Sequence, residues 1–134
     1  MKKTKYILML LLAIVAILPS CRRASHNGKL DGQWRITQIE RVAEQTTDIP
    51  DRLFININLE LVQLVRNGGS QVTGEISYSK GGDTLGMEFP SNPSAATLRN
   101  YGIYSNPVTF DVAKLDRKTL VLESPEAVII CERF

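Results

Sequence analysis

Apolar and polar residues alternate one by one through most of the chain from Leu30 onward, and this alternation constrains the fold more than any other feature. In 55–61, isoleucine or leucine occupies every odd position, and asparagine or glutamate lies between them. A period of two places successive side chains on opposite faces, as in a strand with one buried face. The pattern returns in 85–89 and 108–112, and turn-type residues such as Asn67-Gly68-Gly69 separate the runs. The sequence therefore predicts antiparallel β-strands joined by short hairpins.

The number of strands depends on where the alternation breaks. The apolar phase shifts between Leu61 and Val62, which indicates either a bulge or bend in one long strand or a division of 55–65 into two strands. With a first strand at 33–42, the chain holds seven strands, or eight if that run is divided. Because no crossover helix separates them, the predicted fold is an all-β antiparallel meander, closed into a barrel or stacked as a sandwich.

Two segments interrupt the strand pattern. Residues 43–51 are polar and contain Pro50, and residues 90–107 contain three prolines. Within the second segment, 94–100 predicts a short helix that ends before Gly102. A connection of this length is often a lid or a binding loop, and the alternative is a mobile surface loop.

Four residues are the candidates for contact with a ligand. Tyr101 and Tyr104 lie in the long connection, where their rings are placed to meet a bound molecule. Met87 and Phe89 lie on the apolar face of the preceding strand and are placed to line an interior. For Met87 and Phe89, plain core packing is the alternative interpretation.

The first 20 residues have the composition of a signal peptide. Lys2, Lys3 and Lys5 precede an unbroken apolar run of thirteen residues at 6–18. A helix that spans a bilayer needs about 20 apolar residues, so this run is too short and is typical of a secretory signal.

Residues 18–21 (Leu-Pro-Ser-Cys) resemble the lipobox of bacterial lipoproteins. The resemblance implies cleavage after Ser20 and attachment of lipid to Cys21, which anchors the protein to a membrane. Residues 21–29 would then be a lipidated N-terminus and a flexible tether, because 22–29 hold no large apolar residue. No acidic run follows Cys21, which favours the periplasmic face of the outer membrane over display on the cell surface. The alternative is ordinary cleavage at Ser20, with Cys21 free or in a disulfide.

The charge of the chain does not indicate a nucleic-acid partner. The formal net charge is +2, but three of the 16 basic residues lie in the predicted signal peptide. Without them, 13 basic side chains face 14 acidic ones, which leaves a formal charge of −1. Nucleic-acid binding needs a dense basic face, which such a balance does not predict.

The residues needed for common catalytic and metal sites are missing from the predicted domain. His26, the single histidine, lies in the tether, which excludes Ser-His-Asp and Cys-His arrangements. The sequence has no zinc-ligand spacing and no phosphate-binding glycine loop, so no metal and no cofactor are predicted. Asp111, Glu75 and Glu123 could assemble a carboxylate pair, but acids on polar strand faces are usually just solvated. We therefore predict that the protein is not an enzyme.

The second cysteine, Cys131, lies in the apolar run 128–131. If Cys21 carries lipid, Cys131 has no partner within the chain, and a free cysteine in an apolar run is usually buried. A Cys21–Cys131 disulfide is the alternative, and it competes with lipidation.

The opening of the predicted domain, Gly32-Gln33-Trp34, resembles the Gly-x-Trp signature of lipocalins. The resemblance implies that Trp34 closes the bottom of a barrel and that a basic residue near the end of the last strand packs over the indole; Arg133 is in that position. Residues 30–134 as a whole resemble the lipocalin-like domains of bacterial lipoproteins, which implies a small closed barrel of seven to eight strands.

The predicted function is that of a lipid-anchored β-barrel at the cell envelope that binds a small apolar or amphipathic molecule. Its ligand would enter the barrel mouth beneath the long connection 90–107. The alternative is a structural or interaction module whose barrel is filled with side chains and which contacts another envelope protein. A cavity of about 300 Å³ or more, lined by residues such as Ile57, Val72 and Phe110, would distinguish the first from the second.

Overall fold

The computed structural model describes residues 3–7, 27–79 and 81–134. Residues 3–7 are helical, while the rest of the predicted signal peptide, Cys21 and His26 lie outside the described residues. Within the described ranges, no helix combines the length and the apolar character that a membrane crossing requires.

Nine strands and one short helix follow a 3-10 turn at Gly28–Leu30. The helix, α1, covers Ala95–Asn100 and lies between the sixth and seventh strands. The strands are β1 Gly32–Arg41, β2 Thr46–Asp48, β3 Leu53–Asn58, β4 Leu61–Arg66, β5 Gln71–Tyr78, β6 Thr84–Glu88, β7 Val108–Leu115, β8 Thr119–Glu123 and β9 Ala127–Arg133.

The strands form a closed antiparallel barrel, which confirms the predicted all-β, lipocalin-like meander. Each strand from β3 to β8 pairs with the next one along the chain, and β1 pairs with β3 on one side and with β9 on the other. Eight strands therefore close the barrel, while β2 is an extra strand that folds back on the last three residues of β1. This ninth strand lies within 43–51, which the sequence pattern did not identify as a strand.

The phase change after Leu61 marks a hairpin, so the division into two strands is correct and the single bulged strand is not. Strands β3 and β4 are joined by Leu59 and Glu60, and Leu59 has a positive φ of 58°. The side chains of Leu59 and Leu61 are 55% and 52% exposed. The alternation had placed both on the buried face, but the tight turn moves them to the surface.

A bulge in β1 changes which residues face inward. The pairing of β1 with β9 shifts between Ile36 and Gln38. Below the shift, Trp34 and Ile36 are buried, and above it Ile39 is buried. The inward phase therefore continues to Arg41, the last residue of the strand. We call the end of the barrel that holds Gly32 and Arg133 the floor, and the end that holds Arg41 and α1 the mouth.

Inward side chains from seven of the eight barrel strands are buried, and those of β5, such as Val72 and Ile76, are partly buried against them. On β5 the inward set includes Gly74, whose missing side chain is needed because a Cβ there would collide with the ring of Phe89 and the carbonyl of Glu88. Among the described residues, no charged or polar side chain is buried. The buried core consists of Leu30, Trp34, Ile36, Ile39, Leu53, Ile55, Ile57, Val62, Leu64, Leu85, Met87, Phe89, Leu98, Tyr101, Ile103, Val108, Phe110, Leu120, Leu122, Ala127, Ile129 and Cys131.

The long connection 90–107 is packed onto the mouth as a plug. Its helix α1 lies within the predicted range 94–100 and begins after Ser94, whose hydroxyl accepts a hydrogen bond from the backbone N–H of Thr97 at 3.1 Å. Leu98, Tyr101 and Ile103 from this segment belong to the barrel core. A connection that contributes three buried side chains is a part of the fold and not a loose surface loop.

Candidate functional site

The floor is built around the contact between Trp34 and Arg133. Trp34 is fully buried, and its indole N–H donates to the carbonyl of Leu30 at 2.8 Å. The guanidinium carbon of Arg133 lies 4.3 Å from the ring centroid, a cation–π geometry. The same guanidinium donates to three backbone carbonyls, those of Asp31 at 2.9 Å, Lys29 at 2.5 Å and Arg117 at 2.7 Å. One side chain thus ties the entry of the domain, the β7–β8 turn and the indole together.

This arrangement explains why position 32, the first of the Gly-x-Trp motif, is glycine. Gly32 has a φ of +147°, a conformation that residues with a Cβ rarely adopt. A Cβ at Gly32 would also collide with the guanidinium of Arg133. Gly32, Trp34 and Arg133 therefore form one structural unit, and the floor holds no open ligand site among these residues.

Three of the four candidate ligand contacts are core residues in this structure. Met87 and Phe89 are each 1% exposed, and Tyr101 lies in the plug with 3% exposure, where burial raises the pKa of its hydroxyl. Tyr104 is half-buried at the mouth. Of the four side chains, only that of Tyr104 can meet a ligand while the plug stays in place.

The residues that were expected to line an interior cavity do not line any of the grooves described below. Ile57, Val72 and Phe110 were the expected lining of an interior cavity. Five grooves on the described part of the chain are open to solvent, and none of them is lined by these three residues. Ile57 and Phe110 are instead packed in the core.

A groove of about 390 Å³ opens beside the mouth. Strand β1 pairs with β3 only from Gly32 to Arg35, and higher up it pairs with β2, so the wall parts between β2 and β3. We call this opening the mouth groove. It is lined by Ile39, Arg41, Thr47, Asp48, Ile49, Pro50, Asp51, Leu53, Arg66 and Asn100.

Arg41 is held in place at one side of the mouth groove. Its Nε donates to Asp48 at 2.5 Å, and its Nη1 donates to the hydroxyl of Tyr104 at 2.9 Å. Burial opposes the charge of Arg41, but the hydrogen bonds to Asp48 and Tyr104 outweigh it and raise the pKa of Arg41. The guanidinium of Arg99 lies over the ring of Tyr104, 5.3 Å from the ring centroid.

The mouth groove combines the guanidinium groups of Arg41 and Arg66 and the carboxylates of Asp48 and Asp51 with a smaller apolar surface. Arg41 continues the inward phase of β1, and Arg66 continues the inward phase of β4 beyond Val62 and Leu64. Leu53, opposite Arg66 in the β3–β4 ladder, is buried and supplies apolar wall. Guanidinium groups beside an apolar wall can hold the anionic group of an amphipathic molecule while its apolar part leaves water.

Sequence reasoning did not identify Arg41 and Arg66 as site residues. The available signal was a basic residue at the end of an inward-facing alternation. For Arg41 it was obscured by the bulge in β1, across which the apolar positions change from even to odd numbers.

The carboxylates considered for catalysis are on the outer wall. Asp111 and Glu123 are direct partners in the β7–β8 ladder, while Glu75 pairs with Glu88 on a more distant part of the sheet. All three candidates are solvent-exposed. Among the described residues, no group of three or more His, Cys, Asp or Glu side chains has the geometry to hold a metal ion.

Cys131 is a free thiol buried in the core. Burial raises its pKa to about 12, so the thiol stays protonated and unreactive at neutral pH.

Comparisons with known proteins agree with the barrel. A family model described as a lipocalin-like domain matches residues 13–134, and the chain belongs to this family. A lipocalin-like protein from Bacteroides uniformis has a solved structure that is 24% identical, with a TM-score of 0.66, covering 80% of this chain and 100% of that one. An uncharacterized protein from Bacteroides eggerthii is 16% identical, with a TM-score of 0.60, covering 78% and 98% respectively.

No curated protein matches this chain. The two solved structures show the fold alone, and the lipocalin-like fold is typically one of binding and not of catalysis.

Proposed function

We propose that this protein is a non-enzymatic, lipid-anchored protein of the cell envelope that binds a small amphipathic anion in the mouth groove. The proposed anchor is lipid on Cys21, and the proposed location is the periplasmic face of the outer membrane. The observation that carries the binding proposal is the placement of Arg41 and Arg66 at inward positions beside an open, partly apolar groove.

The filled interior moves the proposed ligand site from the centre of the barrel to its rim. Small-molecule sites usually measure about 300–1,000 Å³, and the mouth groove lies within that range. Its polar and apolar residues together fit an amphipathic ligand better than a purely apolar one. Tyr104, which is hydrogen-bonded to Arg41, links the groove to the plug.

The groove can be tested with 1-anilinonaphthalene-8-sulfonate, a fluorescent probe that joins a sulfonate to apolar rings. We expect Arg41→Gln/Arg66→Gln to weaken binding of the probe by about tenfold or more, because each lost charge-assisted hydrogen bond is worth about 1.5–3 kcal/mol. Lys114→Gln/Arg117→Gln removes the same charge at the other end of the barrel and is the matched control. An equal loss of probe binding in both double variants, or no loss in either, would contradict binding in the mouth groove.

The anchor has its own test. Growth with labelled palmitate should label the wild-type protein, and Cys21→Ala should carry no label and leave the membrane fraction. A Cys21→Ala protein that retained the label would show that Cys21 is not the site of lipidation.

The second candidate function is an interaction module that contacts another envelope protein. The observation in its favour is the packed core, since a barrel that holds no ligand can still present its outer wall to a protein partner. This function predicts that the protein isolated from its own envelope carries a protein partner and no small molecule.

A further inference from the structure

Two exposed leucines stand at the tip of the β3–β4 hairpin, on the floor of the barrel. Leu59 and Leu61 flank Glu60 in the turn and are 55% and 52% exposed. Large apolar side chains lie in water on either side of this tight turn. Covering them with another apolar phase would lower the free energy. We call Leu59 and Leu61 the leucine tip.

The leucine tip lies beside the point where the tether enters the domain. The side-chain amide of Asn27 donates to the backbone carbonyl of Leu59 at 2.6 Å. Asn27 also contacts Asp31 through two hydrogen bonds, so its position relative to the floor is fixed. Only five residues separate Asn27 from Cys21. At about 3.5 Å per residue, the chain between them reaches roughly 20 Å at most.

We infer that the leucine tip rests in the interfacial layer of the membrane that holds the lipid on Cys21, so that the barrel stands with its floor on the bilayer and its mouth toward the aqueous side. The inference rests on the anchoring part of the proposed function. Its basis is the hydrogen-bonded junction of tether and tip, because an anchor attached there holds these leucines closer to the lipid than any residue of the mouth.

The tether also explains how so small an apolar surface can be enough. Two partly exposed leucines would bind a membrane weakly from free solution. A short linker converts the contact into an intramolecular one, with an effective concentration in the millimolar range.

The test uses the lipidated full-length protein in phosphatidylethanolamine–phosphatidylglycerol vesicles. Glu60→Cys places an environment-sensitive dye between the two leucines, and Ser94→Cys places the same dye at the mouth as the matched control. Cys131 is buried and does not compete for the dye. We expect nitroxide-bearing lipids to quench the tip dye on the order of tenfold more than the mouth dye, as insertion at the interface requires.

Leu59→Ser/Leu61→Ser in the Glu60→Cys background should lower lipid quenching to the level of the mouth dye. The protein should still sediment with the vesicles, because the acyl anchor is intact, and the fluorescence of buried Trp34 should show that the fold is retained.

The outcomes separate the inference from the anchor. A protein that does not sediment with the vesicles contradicts the anchor and with it the proposed function. A protein that sediments but has a tip dye open to aqueous iodide overturns the inference and leaves the anchor standing. A tip dye shielded from iodide but not quenched by lipid also overturns it, because the tip would then be covered by protein.

Discussion

The two ends of the barrel are held by different kinds of contact. At the floor, one guanidinium binds three backbone carbonyls and covers a buried indole. At the mouth, Arg41 binds two side chains, Asp48 and Tyr104, beside an open groove. Both ends use an arginine and an aromatic ring, but only the mouth leaves the arginine beside space that a molecule can enter.

This difference separates residues that maintain the fold from residues that are available for binding. Backbone carbonyls are present whatever the sequence, so the three hydrogen bonds of Arg133 need no particular side chain as a partner. Contacts between side chains, such as that of Arg41 with Asp48, can be exchanged for contacts with a ligand without loss of a backbone hydrogen bond. Stability should therefore depend mainly on the floor, and ligand affinity on the mouth.

The largest expected effect on stability is that of removing the indole at the floor. Trp34→Ala should lower the free energy of unfolding by about 3–5 kcal/mol, because a fully buried ring is lost from a packed core. Trp34→Phe should cost less, since it keeps an aromatic ring and loses the hydrogen bond to Leu30. Urea unfolding followed by circular dichroism measures both. A loss below about 1 kcal/mol for Trp34→Ala would contradict the conclusion that stability depends mainly on the floor.

The next effect is that of Arg133. Arg133→Ala should cost about 2 kcal/mol, from the cation–π contact and the charge-assisted hydrogen bonds together. Arg133→Lys should recover only part of this loss, because an ammonium cannot reach three carbonyls from one planar group. If lysine restored full stability, positive charge alone would explain the contribution of Arg133, and the planar shape of the guanidinium would add nothing.

A smaller effect is expected where the plug is attached to the mouth. The side-chain amide of Asn106 accepts from the N–H of Phe89 at 2.9 Å and donates to its carbonyl at 3.0 Å. Asn106→Ala should cost about 1 kcal/mol. Hydrogen exchange should accelerate in α1 and leave the amides around Trp34 unchanged. Equal acceleration at both ends would show that the two ends are not independent.

The last expected effect is absent at neutral pH, and it is a pH dependence of stability from the core. Burial raises the pKa of Cys131 from 9.0 to about 12. Between these values the unfolded chain has lost the thiol proton and the folded chain has kept it, so stability falls as the pH rises through this window. In a Cys21→Ala background, Cys131→Ala should remove that part of the slope. An unchanged slope from pH 9 upward would contradict the burial of the thiol.

Much of the fold follows from local pattern, and the exceptions have identifiable causes. The alternation predicts the antiparallel barrel, and Ser94 with the residues after it predicts α1. Leu59 was misplaced because alternation does not reveal a two-residue turn when neither residue is Gly, Asn or Asp. Strand β2 was missed because it is three residues long and fully exposed, and it owes its strand conformation to pairing with β1.

The floor and the mouth also differ in how well sequence can predict them. Gly32 and Trp34 lie two residues apart in a recognisable motif, and Arg133 lies at the end of the chain, where its partner strand can be anticipated. The mouth groove depends on Arg41 and Arg66, which are brought to one rim by the bulge in β1 and the register of β3 with β4. Register is set by the hydrophobic pattern and by the turn, and here the Leu59-Glu60 turn has no recognisable turn residue and the bulge in β1 shifts the pattern.

Native mass spectrometry of the protein isolated from its own envelope can show whether a small molecule occupies the mouth groove. We expect a small-molecule adduct on the wild-type protein, its loss from Arg41→Gln/Arg66→Gln and its retention in Lys114→Gln/Arg117→Gln. A wild-type protein without an adduct, or an adduct that survives in the mouth-groove variant, would contradict binding at the mouth groove.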